Sequence, residues 1–574
     1  MDGSDEEERE AQLESTALLL ERRASITNQL RDSPYDMFTY IERAYVHSEL
    51  GYPDLAAGDA YRALLLTDEV RDDSFEYHEP ALEALDRYRN PRDSARIVAR
   101  YGGLVERVQT AKLEDGKVEL TTEQFADLAS MRAFRALSIS LLLCGCLKTA
   151  YEFTLRGLEK QPGDEELVQA QAYILNLARR RSRSDDIDFA DFPNQGLVRR
   201  EIYPWNMHEE DRYSVGTLDK LNAALSEIAP KVVAKVTELP VLCQGEPVID
   251  ENGQIATNKQ LGLFAKEFIA PGETVLEEVS VLTANNRLQH PLCDACSSDL
   301  PELGAENQAI ACEECYTTMF CSEYCHNLAQ ATYHPSVCDK DVDAVGKNVD
   351  PKEIPNALYM LLLGRALAMS DTQDVHPLDL QAIKHIWGDF LPPEKNAVPL
   401  SPKAGPPPIW TLPFTFESSV TGPIHLLEKM DIDIFSSLDK YDLWTLNTLY
   451  AKFRGTASAR VSKRDGRPEV AAVHPFWCLA NHDCDPNVQW EWGGRMKLWA
   501  RDKRIMPNKC AGIKAGEEIL NHYCDIELPV QQRREWAQGS LGGFCLCSRC
   551  MTEAAEEANR AEGRGSPNTE MLDA

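Results

Sequence analysis

Asn481-His482-Asp483-Cys484-Asp485-Pro486-Asn487 is the stretch whose reading decides the fold. Downstream come Gly516-Glu517-Glu518-Ile519-Leu520-Asn521-His522-Tyr523 and then Phe544-Cys545-Leu546-Cys547-Ser548-Arg549-Cys550. Three thiols at Cys545, Cys547 and Cys550 are one short of a tetrahedral metal site, so a fourth ligand has to come from elsewhere in the chain. Further upstream, residues 293–338 supply four successive ligand-type pairs: Cys293/Cys296, Cys312/Cys315, Cys321/Cys325 and His334/Cys338. Two-residue gaps let both thiolates reach one ion from a tight turn, and three-residue gaps place two ligands on one face of a helical turn. Eight ligands make two closed zinc sites with no position left for water, so the zinc is expected to be structural.

The rest of the composition bounds the function. The chain has 574 residues, 92 Asp and Glu against 60 Lys and Arg, and a formal net charge of −32. Such a charge opposes binding to phosphate backbones, so no sequence-specific nucleic-acid binding is expected. It is compatible with attracting a basic protein tail, although plain solubility explains it equally. No apolar run approaches the roughly 18 residues of a membrane span, and the acidic opening MDGSDEEERE lacks the plan of a secretory signal. A reducing compartment, nucleus or cytoplasm, is therefore expected, where the 17 cysteines are poor disulfide candidates and better read as metal ligands or core. Cys144, Cys146, Cys243, Cys478 and Cys524 are expected to pack in the core.

Taken together, the motifs resemble the SET–MYND family of protein-lysine methyltransferases. Residues 481–487 resemble the family's N-H-S-C-x-P-N signature, with Asp483 where Ser is usual. Residues 516–523 resemble its G-E-E-L-x-x-x-Y stretch, and the cysteine trio resembles its post-SET motif. Lys259-Gln260-Leu261-Gly262-Leu263-Phe264-Ala265, with Pro271-Gly272-Glu273 after it, is similar to the opening of a SET domain. The order matches the family, and the resemblance covers about residues 236–552. It implies interleaved zinc ligands: Cys293, Cys296, Cys321 and Cys325 on one ion, Cys312, Cys315, His334 and Cys338 on another. It also implies that Cys484 joins Cys545, Cys547 and Cys550 on a third. The cofactor implied is S-adenosylmethionine, contacted by Lys259, Gly262, Leu263, Asn481, His482, Tyr523 and Phe544. Tyr523 is implied as the catalytic residue that orients the incoming amine.

The fold class expected is multidomain α+β. Residues 1–35 read as an acidic, flexible start, and 36–183 as a helical, tetratricopeptide-like region. That likeness rests on the stretches 44–66 and 141–162, where Gly51 and Gly145 follow apolar helix faces; an ordinary helical domain is the alternative. Residues 184–235 form a linker with an amphipathic helix, in which Leu218, Leu221, Leu225 and Ile228 recur at helical steps. Residues 236–290 open the SET fold, 291–340 are the MYND finger, 341–455 a helical insert broken by the proline-rich run at 400–410, 456–527 the catalytic core, 528–552 the post-SET segment, and 553–574 a disordered tail. The run Arg179–Arg183 reads as a solvated helix end or a nuclear import signal.

The chemistry implied is attack by a neutral lysine amine on a sulfonium methyl. Stripping the proton from a lysine of pKa about 10.4 costs about 4.6 kcal/mol near pH 7, so positioning and desolvation must supply the gain. The partner implied is a protein or peptide bearing a lysine, on a histone or another protein, with a proline-containing peptide as a further candidate ligand of the MYND finger and a monomer as the expected state. The chain departs from the family pattern at Gln260, in place of a glycine; at Leu261, in place of a basic residue; at Thr456, where an asparagine is common; and in the apparent insertion Arg504–Gly512, which carries Cys510. These departures motivate an alternative: a catalytically silent scaffold that recruits partners through its finger and helical repeats.

Overall fold

A computed structural model describes residues 3–90, 120–243, 246–249, 252–286, 292–302, 308–346, 349–388, 411–462, 466–541 and 543–563, with 94, 95, 97 and 304. The proline-rich run at 400–410 and the last eleven residues lie outside these. The described residues fall into two compact units, one of residues 3–201 with 411–448, the other of residues 202–388 with 449–563. The stretch 341–455, read from sequence as one helical insert, is thus divided between them.

The first unit is helical. Met37–Glu49 packs on Pro53–Glu69, which packs on Thr122–Cys144, which packs on Leu147–Lys160, which packs on Glu165–Ser182. The punctuation is local. Gly51 (φ 82°) turns the chain so that Pro53 can open the next helix, and proline suits a first helical position because its missing N–H has no partner there anyway. Thr121 and Gln124 form a reciprocal capping box, and Gly145 (φ 91°) ends that helix in the left-handed region. Both turns sit in the two stretches singled out above. At Gly157 a Cβ would lie 2.5 Å from Leu167 and 3.2 Å from Phe134, so the close helix approach requires glycine. The opening residues are helical: Gly3–Asp32 is a helix whose Ile26 and Leu30 are buried. Its Glu, Arg, Leu and Ala are strong helix formers, which the acidic composition obscured.

A fully buried ion cluster ties 411–448 to this unit. The Arg43 guanidinium forks onto Asp59 (2.9 and 2.6 Å) and onto Asp442 (3.0 and 3.1 Å). The strand Gly196–Arg199 pairs antiparallel with Thr411–Phe414.

The second unit carries the β-structure. Helix Val215–Ile228, capped by Ser214, packs on strand Val232–Pro240, which pairs antiparallel along its full length with Thr257–Ala265. Thr274–Val279, Arg495–Ala500 and Val488–Trp492 form one antiparallel sheet; Leu282–Asn285, Pro468–Val473 and Ser458–Val461 form another. In Arg495–Ala500 the apolar Met496, Leu498 and Ala500 alternate inward, as a strand with one buried face requires. They join Leu261, Leu263, Leu276, Val488, Ile513 and Ile519 in one core. The cysteine-rich module lies between Leu282–Asn285 and helix Ile354–Gln373. It is clamped to that helix by Arg365, which stacks 3.6 Å over the Tyr333 ring and pairs with Asp294 at 3.2 Å.

The C-terminal part runs through helices Val530–Leu541 and Ser548–Gly563. The tail expected to be disordered from 553 is therefore helical to Gly563. Its first turn is anchored by Arg549, whose guanidinium donates to the carbonyls of Cys484 (2.8 Å) and Ile526 (2.9 Å), and Ala and Glu carry the helix onward. Among the described residues no helix is long and apolar enough to cross a membrane.

Candidate functional site

One short pairing builds the site. Asn481–His482 runs parallel to Leu520–Asn521, with Asn481 opposite Leu520 and His482 opposite Asn521. The signature and the later tyrosine, forty residues apart, are thereby brought side by side. The Tyr523 backbone N–H donates to His482 Nδ1 (3.0 Å), and its hydroxyl donates to the Ala480 carbonyl (3.0 Å). The two rings lie 5.2 Å apart.

Asn481 is buried. Its Nδ2 donates to Glu518 Oε1 (2.7 Å) and to the Leu261 carbonyl (3.1 Å), which carries the opening strand to the same place. Gly262 sits beneath this contact: a Cβ there would lie 2.5 Å from Glu518 Oε1 and 3.0 Å from Asn481 Nδ2. Burial pushes the Glu518 carboxyl above its ordinary range, with the Asn481 amide pulling the other way. Burial likewise lowers His522, whose ring stacks on Trp490 at 5.6 Å.

Other expected residues fall less directly. The Leu263 side chain is in the core and its carbonyl accepts the Ile519 N–H (2.7 Å). The Lys259 side chain is exposed, and its carbonyl accepts the Tyr213 hydroxyl (2.6 Å). Phe544 is half-buried beneath Arg534, with the guanidinium carbon 6.0 Å from its ring. Gln260 turns its side-chain oxygen onto its own neighbour's N–H, Leu261 (3.1 Å), and accepts a second bond from Arg212 (3.4 Å). The Thr456 hydroxyl bonds to the Lys452 carbonyl and to that of Phe453 at 3.2 Å, capping the end of its own helix. Asp483 accepts the Asp485 N–H (2.7 Å), a turn that serine also makes, though more weakly, so the exchange keeps the local geometry.

Sequence reasoning missed several residues. Asp485 receives the N–H groups of Ile505 and Met506 and pairs with the buried Arg504 guanidinium at 3.0 Å, so the stretch read as an insertion is pinned to the signature. Asn487 bridges to the last strand through the Glu518 carbonyl (2.7 Å) and the Leu520 N–H (2.8 Å). Their polar identity inside a motif was the only signal. Phe476, Trp477, Trp490 and Trp492 pack half-buried against the core around the signature.

The metal-ligand groups converge as three four-residue clusters: Cys293, Cys296, Cys321 and Cys325; Cys312, Cys315, His334 and Cys338; Cys484, Cys545, Cys547 and Cys550. Sulfurs at about 2.3 Å from a tetrahedral ion stand about 3.8 Å apart. The observed separations are 3.8 Å for Cys296–Cys321, 3.6 Å for Cys321–Cys325, 3.8 Å for Cys312–Cys338, 4.0 Å for Cys484–Cys545 and a shorter 3.3 Å for Cys484–Cys550. These suit shared metal ligation, and a disulfide would need about 2.05 Å. Arg533 approaches Cys550 Sγ at 3.6 Å, where a cation offsets thiolate charge. Cys524, expected in the core, is buried there beside Cys484. Cys144 and Cys146 are also buried, Cys478 is half-buried, Cys510 is exposed, and the Cys243 side chain lies outside the described set.

His208, His376 and Asp379 also cluster, but the two imidazoles stack face to face at 3.7 Å and 4°. In this arrangement the ring lone pairs lie in parallel planes, and His208 Nδ1 is engaged with Asp379 Oδ2 at 2.9 Å.

Residues 260–524 match the family model of the SET domain. The SET match begins at Gln260 and ends just past Tyr523, enclosing Gly262, the first two cysteine clusters and the signature. Relatives agree. The histone-lysine N-methyltransferase set5 of Schizosaccharomyces pombe is 34% identical over 73 residues, 13% of this chain and 21% of that protein. Histone-lysine N-methyltransferase SMYD3 of Mus musculus is 23% identical over 299 residues, 52% of this chain and 60% of that protein. Histone-lysine N-methyltransferase SET5 of Yarrowia lipolytica is 24% identical over 417 residues, 69% and 84%. The chain thus has SET-domain histone-lysine N-methyltransferase homologues, and it spans less than two thirds of the first two.

Proposed function

We propose that the chain is an S-adenosylmethionine-dependent protein-lysine N-methyltransferase with three structural zinc ions. The observation that carries this reading is the meeting of Tyr523 with Asn481 and His482 across the parallel strand pair. S-adenosylmethionine would supply the electrophilic methyl group. On this reading Asn481 and His482 border it through side chain and backbone, and Gly262 lets Asn481 and Glu518 close onto the opening strand beside it. Phe544 offers an aromatic face, and Lys259 a cation. Because the Tyr523 hydroxyl donates to Ala480 (3.0 Å), its oxygen lone pairs are presented to an incoming amine N–H. That bond holds the amine in line, and half-buried Trp477 and Trp490 exclude water that would otherwise stabilise its charged form. Zinc on the twelve Cys and His ligands holds the walls and stays out of the chemistry. A basic, lysine-bearing protein tail suits the −32 charge, and nucleus or cytoplasm suits thiol ligation.

The test is methyl transfer from labelled cofactor to a protein array, comparing wild type with Tyr523→Phe, with cofactor binding followed by calorimetry. Turnover by wild type, reduced about 100-fold or more in the variant with binding retained, supports the proposal. Absence of both binding and transfer in wild type overturns it.

A second reading is a silent scaffold that recruits proline-containing peptides through its zinc finger. The Gln260 oxygen on the Leu261 N–H favours it, because that amide is already satisfied. Partners captured by wild type and by Tyr523→Phe but lost on Cys312→Ser, with no methyl transfer, distinguish it.

A further inference from the structure

We infer that Glu278 is a positioning residue of this site: its carboxylate fixes the turn Trp477–Leu479 and, through it, the Ala480 carbonyl that orients Tyr523. The inference rests on the methyltransferase reading above and gives it a residue that neither the motifs nor the relatives assign.

Glu278 stands on strand Thr274–Val279 two positions after Leu276, so both point to the buried side. A carboxylate there is costly unless it is bonded. Its two oxygens divide their work: Oε1 accepts the Phe476 N–H at 3.3 Å and Oε2 the Trp477 N–H at 3.0 Å. Among the described residues no cation pairs with it, and burial pushes its carboxyl up to about 7 although both amide bonds pull it down. An apolar side chain would suit the core better, so stability alone does not explain an acid at this position.

The turn it holds leads straight to the site. Leu479 N–H closes on the Phe476 carbonyl and Ala480 N–H on the Trp477 carbonyl, each at 3.1 Å. The Ala480 carbonyl then accepts the Tyr523 hydroxyl, and Asn481 follows. Two residues beyond Glu278, Ser280 Oγ lies 2.7 Å from His474 Nε2, so one short segment holds His474, Phe476 and Trp477 at the start of the loop. The loop's grip on the donor side is separate, through Asn481 with Glu518 and Leu261. Losing Glu278 should therefore disturb Tyr523 more than cofactor binding.

The experiment uses the full zinc-loaded chain with Glu278→Ala and Glu278→Gln. Turnover, cofactor Kd, zinc content and amide hydrogen exchange are compared with wild type. We expect kcat to fall about 30-fold to 100-fold in Glu278→Ala while cofactor Kd moves less than about threefold. Glu278→Gln, which keeps one acceptor oxygen, should fall between. Exchange at the Phe476 and Trp477 amides should quicken, with Arg495–Ala500 unchanged. Equal protection of those two amides in wild type and variants overturns the inference whether or not the chain transfers methyl groups. So does loss of kcat and cofactor affinity in equal measure. A wild type without transfer overturns the methyltransferase reading alone.

Discussion

Asn481 Nδ2 lies 2.7 Å from Glu518 Oε1, and the α-carbon of Gly262 sits against the pair so closely that a methyl group would fall 2.5 Å from the acid and 3.0 Å from the amide. Three segments more than thirty residues apart therefore share one contact. Gly262→Ala puts a methyl group against this contact, which can yield at the Glu518 carboxylate, the end of a flexible side chain, and less at the Asn481 amide, which is also held by the Leu261 carbonyl (3.1 Å). Cofactor Kd should rise about tenfold or more, equivalent to about 1.4 kcal/mol. Calorimetry checks this, and thermal melting of the variant should stay within a few degrees of wild type.

Much of this site could be read from the sequence because its chemistry is written in short spacings. Two- and three-residue gaps pair neighbouring ligands, the resemblance implies how those pairs interleave and where Cys484 belongs, and the signature names its own histidine and asparagine. What could not be read is bonding across long separations. Nothing about Glu278 in isolation announces a contact with Phe476 and Trp477, almost two hundred residues on, and Glu518 looks like one of 92 acids. The helices Gly3–Asp32 and Ser548–Gly563 escaped for another reason. Their charge suggests solvent exposure, yet Ile26 and Leu30 are buried on the first, while the second is held by its first turn, Arg549 and Cys550, and is largely exposed beyond it.

The clusters predict about three zinc ions per chain by elemental analysis, because twelve ligands fill three tetrahedral sites. Cys484→Ser should remove one ion and unsettle the adjoining Asn481–His482 segment. Gly494→Ala should act at a distance in sequence. Gly494 (φ 85°) abuts the first cluster, and a Cβ would come within 2.9 Å of Cys296 Sγ. Retention of three zinc ions by both variants after dialysis against a chelator would contradict this assignment.

Arg43 offers a test of the helical unit. It is fully buried between Asp59 and Asp442. Arg43→Met removes the cation that forks onto both carboxylates, leaving Asp442 with Arg23 (3.8 Å) and Asp59 with His47 (2.9 Å), and should cost about 3 kcal/mol. Adding Asp59→Asn and Asp442→Asn should recover part of that loss, because the excess negative charge goes while buried Arg23 loses its own partner. Denaturant melts of the single and triple variants decide it; a triple variant no better than the single one would place the cost in packing.

The pH dependence of stability follows from Glu278. Its folded-state value, about 7, lies above the ordinary 4.5 because burial penalises the charged form. The folded chain therefore prefers the neutral acid. The resulting stabilisation is complete below pH 4.5 and is lost as pH rises through about 7, amounting to about 3 kcal/mol across the window. His474 acts with the opposite sign. Burial depresses it to about 3, so its contribution is present above pH 6.5 and is lost as the solution becomes more acid. The two slopes offset one another in wild type between pH 4.5 and 6.5. Glu278→Gln cannot ionise, so the difference in unfolding free energy between wild type and this variant isolates the carboxyl. That difference should shift by about 3 kcal/mol against wild type between pH 4.5 and 7 and flatten on either side. A difference independent of pH would mean that the carboxyl titrates at its ordinary value and is not held in the core.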